Sequence, residues 1–392
     1  MSKSCFYPLV NAVKNYPWGS RTALNQRFHI PNPDDQPQAE VWMGIHPAGV
    51  SQVIFQDKTC SLAELITSDK NAMLGKRMVE QFGDLPYLLK LLAAESALSL
   101  QVHPQKAQAQ AGFQRQQQGS NNPPDYNDDN HKPELVYAVT PFMAMNGFRK
   151  PDEIVTHFRR LTVRSLDDAI DQLALHPCAE TMQGFFVTLM QLPEDEKQQA
   201  IERLVSEAPA LYDENLAAFI LRLNHYYPHD IGLFAPLFLN CLTLQPGEAM
   251  FLSPGTLHAY VQGVAVEVMA SSDNVLRAGL TPKRINLTEL VACTVFEPVY
   301  QETLLMIPES GHGKHHYPVP VADFCFDIYT DVTHFPVHTA SAEIVLVIEG
   351  RASLQHSGGE VIDLNCGQSA FIPASTGDWT LTLSGRLCRV YG

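Results

Sequence analysis

The sequence lacks features that would place it in a membrane or in an oxidising compartment. Its 392 residues contain no apolar run long enough to span a bilayer. Residues 1–14 lack the basic start and apolar core of a signal peptide. The 8 cysteines include no C-x-x-C pair. We therefore expect a cytoplasmic protein with free, partly buried thiols rather than a disulfide framework.

Positive charge is also scarce. Lysine and arginine number 27 against 42 aspartates and glutamates, so the formal net charge is −15. A surface of this sign argues against binding to nucleic acid or to an anionic membrane. It does not exclude a local basic pocket for a small anionic substrate.

Apolar residues are abundant, at 45%, and their spacing changes along the chain. Alternating or continuous apolar runs bounded by turns predict strands in most of the sequence. Residues 151–227 instead have helical spacing. We predict a mainly β fold with an α-helical insertion: residues 1–150 and 228–310 form one β domain, 151–227 a helical domain and 311–392 a C-terminal β domain.

Residues 98–104, Leu-Ser-Leu-Gln-Val-His-Pro, follow a long apolar run and are predicted to form a buried strand. Alternate side chains of a strand share one face, so Gln101 and His103 point into the same space. An amide oxygen beside an imidazole makes half of a metal site. The remaining ligands must come from other parts of the chain.

Glu134 and His258 are the candidates for the other half. Glu134 begins a predicted strand, and His258 follows the turn at Pro254-Gly255. Two imidazoles, one carboxylate and one amide oxygen suit a borderline ion such as Zn²⁺, and they leave about one net positive charge for Lewis-acid chemistry. A single histidine among 15 is more often a hydrogen-bonded structural residue. The joint pattern at four strand ends favours the metal site.

A spacing that occurs twice in the sequence supports a barrel fold. Gly247 and His258 stand eleven positions apart, with Pro254 between them, and Gly367 and Asp378 repeat this spacing around Pro373. The spacing is that of the second motif of the cupin jelly roll, in which a turn delivers a histidine to the barrel mouth. We therefore predict two cupin-type jelly-roll barrels plus the helical domain. The second barrel, which lacks the histidine, is predicted to be structural.

Further polar residues are placed by the sequence near these ligands. Each has a plainer interpretation as a solvated loop residue or as a paired charge in a buried strand. The catalytic candidates are Lys132, His131, Asp273 and Arg277, and the substrate-binding candidates are Glu40, Trp42 and Lys283. The polar stretch 105–130 is predicted to hold a short helix at 106–117 and to act as a lid.

Six motifs in matching order give the chain a resemblance to the type I mannose-6-phosphate isomerase family. The motifs are Tyr-Pro-Trp-Gly-Ser at 16–20, Ala-Glu-Val-Trp-Met-Gly at 39–44, the 98–104 strand, His-Lys-Pro-Glu at 131–134, Pro-Gly-Thr-Leu-His-Ala-Tyr at 254–260 and Ser-Asp-Asn-Val-Leu-Arg-Ala-Gly-Leu-Thr at 272–281. Pro17 stands where the family often has alanine.

The resemblance implies a function for the predicted metal site. It implies one zinc ion at Gln101, His103, Glu134 and His258, with Arg277 as an active-site residue. It also implies that 1–150 with 228–310 is a metal-binding catalytic cupin domain that interconverts mannose 6-phosphate and fructose 6-phosphate. We expect a small-molecule substrate and a monomer.

Such an isomerisation moves a proton between C2 and C1 through an enediol, so it needs a base and a group that stabilises a developing oxyanion. Zn²⁺ with Arg277 or Lys132 can stabilise the oxyanion. The base is left open among His131, Asp273, Glu40 and Lys132, with Lys132 or Asp273 preferred, and His131 is a candidate for assisting ring opening.

Two other functions fit parts of the same pattern. His103, Glu134 and His258 also form a two-histidine, one-carboxylate set suited to an Fe(II) oxygenase, although Gln101 would fill a position that oxygen needs. A non-catalytic sugar-binding protein with two cupin barrels is the third possibility.

Overall fold

The computed structural model describes residues 4–55, 58–119 and 124–392. Across these ranges no helix is long and apolar enough to cross a membrane. All eight cysteines are free thiols, as predicted, and two of them, Cys293 and Cys388, are fully buried.

The described residues form twenty strands, numbered here in chain order: β1 (Tyr7–Val10), β2 (Ala12–Lys14), β3 (Glu40–Met43), β4 (Gln52–Phe55), β5 (Lys58–Ser61), β6 (Tyr87–Ala94), β7 (Leu100–Val102), β8 (Glu134–Ala138), β9 (Phe142–Phe148), β10 (Leu239–Leu244), β11 (Ala249–Leu252), β12 (His258–Ala270), β13 (Leu276–Gly279), β14 (Glu309–Gly311), β15 (Lys314–Tyr317), β16 (Cys325–Thr339), β17 (Glu343–His356), β18 (Val361–Asn365), β19 (Ser369–Ile372) and β20 (Gly377–Tyr391). They also form the helices α1 (Ala23–Phe28), α2 (Leu62–Ser68), α3 (Lys70–Leu74), α4 (Lys76–Phe82), α5 (Lys106–Gln117), α6 (Pro151–Leu161), α7 (Asp167–Leu175), α8 (Ala179–Met190), α9 (Glu194–Leu211), α10 (Glu214–Tyr226), α11 (Ala235–Phe238) and α12 (Leu287–Cys293).

Local sequence signals set several of these boundaries. Ser61 caps α2: its hydroxyl accepts from the Glu64 amide at 3.1 Å, while the Glu64 carboxylate accepts from the Ser61 amide at 2.8 Å. This reciprocal pair satisfies two amides that a helix start otherwise leaves unpaired. The predicted helix at 106–117 is confirmed as α5.

Strand β12 organises the first β barrel. It is 13 residues long and pairs antiparallel with β7 and β9 near its start and with β6 and β8 along its second half. Its first residue, His258, lies opposite Gln101 of β7. Because β8 begins at Glu134, opposite Met269, and β7 ends just before His103, one strand gathers all four predicted ligand segments.

A glycine turn delivers His258 to the start of β12. Gly255 has a φ of +91°, and a Cβ there would lie 2.7 Å from Cγ2 of Val295. A side chain is therefore excluded both by the backbone conformation and by the neighbouring valine. The Gly255 amide donates to the His103 carbonyl at 2.8 Å, which joins the two histidine-bearing segments directly.

The second β barrel is built on the long strands β16, β17 and β20 and includes β14, β15, β18 and β19. Its sheet also takes in β1, β4 and β5 from the N-terminal part of the chain: Tyr7 of β1 pairs with Phe371 of β19. Strands from both sides of residue 311 therefore lie in one hydrogen-bonded sheet. In it, β1 supplies hydrogen bonds to β19, which would otherwise be an edge strand.

The helices α6 to α10 lie between β9 and β10 in the chain and pack their apolar faces together. Phe158 and Phe185 meet edge to face with ring centroids 4.9 Å apart. Each fully buried ring of this kind contributes on the order of 2–3 kcal/mol. The Tyr227 hydroxyl after α10 donates to the Ala97 carbonyl at 2.6 Å, so the helical region supports the segment that leads into β7.

Candidate metal centre

The four predicted ligands meet inside the first barrel. His103, Glu134 and His258 are each at most 2% exposed, and Gln101 is 9% exposed. One candidate ligand atom from each of His103, Glu134 and His258 lies within 4.8 Å of the other two. Nε2 of His103 is 3.2 Å from Oε1 of Glu134, and Nε2 of His258 is 3.6 Å from Oε2. The three side chains therefore converge on one point.

Gln101 borders the cluster but presents the other end of its amide. Its Nε2 lies 3.4 Å from Nε2 of His258, while its Oε1 accepts from the Ser99 hydroxyl at 3.2 Å. A 180° rotation of the amide exchanges the two atoms, which have nearly the same shape. The rotated amide would offer its oxygen as a fourth ligand.

Outer hydrogen bonds orient both imidazoles. Nδ1 of His103 donates to the Asn274 carbonyl at 2.7 Å, and Nδ1 of His258 donates to the Thr256 carbonyl at 2.9 Å. With each Nδ1 carrying the proton, both Nε2 atoms are left as acceptors toward the centre. Nε2 of His103 is buried without a hydrogen-bond partner of good geometry among the described residues, which is the state expected of a metal ligand.

Charge in the cluster suits a divalent ion. Burial, reinforced by the Lys132 cation, lowers the pKa of His103 to about 4, so its imidazole is neutral at pH 7. Burial alone would raise the pKa of Glu134, but the Lys132 cation holds it well below its usual value. Its carboxylate also accepts from the Tyr260 hydroxyl at 2.9 Å. Two imidazoles and one carboxylate form a donor set of the kind Zn²⁺ binds.

Lys132 is the predicted catalytic residue that lies against the cluster. Its Nζ is 3.0 Å from Oε1 of Glu134, and the side chain is 9% exposed. It shares this carboxylate oxygen with His103. The end of the Lys132 side chain therefore lies at the edge of the ligand cluster.

Arg277 connects the cluster to a cavity of about 570 Å³. It lies opposite Gln101 in the β13–β7 pair, and both residues line the cavity together with Ser99 and Lys283. Neither Arg277 nor Lys283 forms an ion pair with any carboxylate in the described ranges, and burial lowers the pKa of Arg277. The volume is that of a typical small-molecule site, and its two uncompensated cations favour an anionic ligand.

A larger cavity, about 670 Å³, is lined by residues of α10 and β10 together with Arg149 and Leu304. None of the four predicted ligands lines it. Size alone does not identify the site. The cavity of about 570 Å³ is the candidate because the predicted ligand Gln101 and its strand partner Arg277 both line it.

The structure gives His131 and Asp273 partners outside the cluster. Nε2 of His131 lies 3.0 and 3.1 Å from the two carboxylate oxygens of Asp323, in the segment before β16. Asp273 lies 3.1 Å from Nε2 of His46, which lowers the pKa of the aspartate. These contacts match the plainer interpretation of paired charges rather than a direct approach to the metal cluster.

Glu40 and Trp42, predicted to bind substrate, are both 5% exposed. The Trp42 indole donates to the Glu40 carboxylate at 2.7 Å, and Glu40 is also paired with Lys90 at 3.5 Å. These are the contacts of the alternative interpretation, a paired glutamate in a buried strand.

Sequence reasoning missed Lys90 and its partner Glu267. Lys90 Nζ lies 2.9 Å from Oε2 of Glu267, and burial raises the pKa of Glu267. Burial opposes the charge on Lys90, yet Glu267 and Glu40 raise its pKa. A signal was available, because Lys90 is the one charged residue in the otherwise apolar strand β6. A lysine in a strand that is covered on both faces needs a partner of opposite charge.

The described residues of the predicted lid are held to the rest of the protein by hydrogen bonds. Tyr126 is 3% exposed, and its hydroxyl donates to Glu289 of α12 at 2.7 Å. The Asn127 amide donates to the Asn274 side chain at 2.7 Å. Residues 120–123 of the predicted lid lie outside the described residues. The rest of the loop is part of the wall around the ligand segments.

A jelly-roll barrel that focuses two imidazoles and a carboxylate on one point defines the chain as a cupin of the metal-binding kind. Family models match most of the chain: the catalytic domain of type I phosphomannose isomerase at residues 6–151, its helical insertion domain at 153–239 and the mannose-6-phosphate isomerase cupin domain at 313–392. The chain belongs to the type I phosphomannose isomerase family. The predictions of this family, of an enzyme and of the fold class are confirmed.

Individual relatives agree along the whole chain. The chain is 43% identical over 391 residues to the mannose-6-phosphate isomerase of Escherichia coli, with 98% of each chain covered. An alanine variant of phosphomannose isomerase from Salmonella typhimurium is similar in structure, with a TM-score of 0.94, 42% identity and coverage of 99% and 100% of the two chains. A mannose 6-phosphate isomerase with zinc bound gives a TM-score of 0.93 at 41% identity, with the same coverage.

Proposed function

We propose that the chain is a zinc-dependent aldose–ketose isomerase that interconverts mannose 6-phosphate and fructose 6-phosphate through an enediol. The observation that carries this proposal is the buried His103–Glu134–His258 cluster beside a cavity lined by Arg277 and Lys283. The names of the relatives specify the sugar, and the zinc-bound relative supports the metal.

Gln101, His103, Glu134 and His258 would hold one zinc ion per chain, with Gln101 using the rotated amide described above. The bound ion would supply Lewis acidity to a sugar oxygen. A single carboxylate among these donors leaves about one net positive charge. All four side chains come from one chain, which supports a monomer as the active form.

Arg277 would stabilise the negative oxygen that develops when the C2 proton is removed. Burial strengthens such an interaction because little water screens the guanidinium. Arg277 lines the cavity and has no competing carboxylate in the described ranges. Lys283, on the same cavity and nearer to solvent, would bind the phosphate.

Lys132 would act as the base: once its ammonium has released a proton to solvent, Nζ would take the proton from C2 and return it to C1. Its contact with Glu134 at 3.0 Å places Nζ at the metal cluster, whereas the carboxylate of Asp273 is engaged by His46. A base must come within hydrogen-bond reach of the proton that it abstracts, and this favours Lys132 over Asp273. Asp273 and His131 would then position neighbouring segments, and Glu40 with Trp42 would hold Lys90.

The eight free thiols also support the proposed cytoplasmic location, since a reducing compartment keeps cysteines in this state.

The test is an assay of purified protein with mannose 6-phosphate in deuterated water, together with metal analysis. We expect fructose 6-phosphate as the product, deuterium at the exchanged carbon and one zinc per chain. A sugar-binding protein would give no exchange. An Fe(II) oxygenase would contain iron and consume oxygen. Either result would replace the proposal.

A further inference from the structure

Asn274 is fully buried in the loop between β12 and β13 and is not among the four ligands. Its side chain is saturated with hydrogen bonds to the loop before Glu134. Oδ1 accepts from the Asn127 amide at 2.7 Å and from the Asp128 amide at 3.3 Å. Nδ2 donates to the Asp128 and Asn130 carbonyls, both at 2.8 Å, and to the Asp128 carboxylate at 3.0 Å.

The backbone of the same residue reaches the metal cluster. The Asn274 carbonyl accepts from Nδ1 of His103 at 2.7 Å, which fixes both the tautomer and the ring orientation of that ligand. Three positions further along, Arg277 lies opposite Gln101. One residue therefore touches a ligand on one side and the segment leading to Lys132 and Glu134 on the other.

The two loops are joined at several further points around Asn274. The Asp128 carboxylate accepts from the Ser272 hydroxyl at 2.8 Å and from the Asp273 amide at 2.7 Å. The Asn127 side chain donates to the Asp273 carbonyl at 2.8 Å. Asn274 and Ser272 are the buried members of this set, whereas Asn127 is exposed and Asp128 is partly exposed.

From this geometry we propose that Asn274 is a positioning residue for the metal centre: its side chain fixes the approach to Glu134 while its carbonyl fixes His103, so that both ligands hold one relative position. The inference rests on the proposed zinc site. Its consequence is that the amide of Asn274 sets zinc affinity although it does not touch the ion.

The test is Asn274→Asp, which keeps the shape and the acceptor but replaces the donor with a carboxylate against Asp128. The probes are zinc affinity, measured by competition with a chromogenic chelator, and the visible spectrum of the cobalt-substituted protein, which reports ligand geometry. We expect zinc affinity to fall about 10- to 100-fold and the cobalt spectrum to change, as for other partners of metal-bound histidines.

Asn240→Ala is the matched control. Asn240 is also a buried asparagine, and its amide donates to the carbonyls of Asn146, Gly147, Phe148 and Val299, none of which belongs to a ligand segment. This variant should lose thermal stability while keeping zinc affinity and the cobalt spectrum. Equal changes in both variants would reduce Asn274 to a structural role.

Asp128→Ala breaks the same junction from its more exposed side and serves if Asn274→Asp does not fold. Its loss of zinc affinity should be smaller and in the same direction. Wild-type affinity and spectrum in the folded variant would overturn the inference. If the wild-type protein itself binds no zinc, the proposed function fails first; if only the variants are unchanged, the positioning role alone fails.

Discussion

The two barrels contain segments with the same eleven-residue spacing, Gly247 to His258 and Gly367 to Asp378, and use them differently. In the first, Gln101 lies opposite His258; in the second, His338 lies opposite Asp378. Both segments begin at a glycine with positive φ, Gly247 at +98° and Gly367 at +83°, and each glycine is followed by a short strand, β11 or β19. The shared spacing in the sequence therefore reflects a shared backbone geometry.

The difference lies in what surrounds each turn. His258 is 1% exposed and faces Glu134 inside the first barrel. The side chains of His338 and Asp378 are 69% and 85% exposed, and the interior beside them holds the buried indole of Trp379, bonded to Thr339. A turn of this kind becomes a metal site only where the barrel interior is polar and the ligands are withdrawn from water.

The largest effect of a substitution in the first barrel is expected on kcat, at the proposed base Lys132. Lys132→Ala should lower kcat by about 10²- to 10⁴-fold, the usual contribution of a general base. Asp273→Asn, measured alongside, should lower kcat much less because its carboxylate is held by His46. Steady-state kinetics with mannose 6-phosphate test both. A larger loss in Asp273→Asn would transfer the role of base to Asp273.

A substitution in the second barrel should lower the stability of the protein rather than its catalytic rate. Glu343 and Arg389 form a buried bidentate pair there. Glu343→Ala removes the bidentate partner and leaves Arg389 with its longer ion pair to Asp327 at 3.7 Å, so it should cost about 3 kcal/mol in the free energy of unfolding. Denaturant unfolding measures this cost, and the zinc affinity of the folded fraction should stay at the wild-type value. A specific loss of zinc binding would contradict the separation of roles.

Arg277→Ala should lower kcat by about 10²- to 10³-fold, the cost of removing one donor to a developing oxyanion. Zinc should remain bound, since Arg277 lies beside Gln101 rather than among the charged ligands. Arg351→Ala, an exposed arginine of the second barrel, is the control and should behave as wild type. Near-normal turnover in Arg277→Ala would remove this residue from the mechanism.

A smaller effect concerns the metal-free protein in acid. The pKa of His103 is lowered to about 4 by burial, whereas an unfolded histidine has a pKa near 6.5. Between these pH values the unfolded state binds a proton that the folded state does not bind. The free energy of unfolding therefore falls as the pH drops from about 6.5 to 4, by about 3 kcal/mol at most. Urea unfolding of chelator-treated protein should show this slope, and His103→Gln should flatten it. An unchanged slope in that variant would exclude His103 as its source.

Local patterns in the sequence predicted much of this architecture. Alternation along a strand was enough to place Gln101 and His103 on one face, and the polar helix at 106–117 is in place. Both inferences depend only on neighbours in the chain. The glycine spacing also predicted the second turn, because that turn needs positive φ wherever it occurs.

Contacts between distant segments were beyond such patterns. The pairing of His131 with Asp323 joins residues 192 positions apart, and the strand β1 crosses into the second barrel to pair with β19. No local period encodes either contact. Asn274 was visible as part of a motif, but its function depends on which carbonyl and which loop the fold brings to it.

The most direct test of the account is the zinc content of three dialysed proteins, measured by atomic emission. We predict one zinc per chain in the wild type, one in the His338→Ala/Asp378→Ala double variant and close to none in His258→Ala. Zinc retained at full stoichiometry by His258→Ala, or lost from the double variant, would place the metal outside the first barrel and contradict the account.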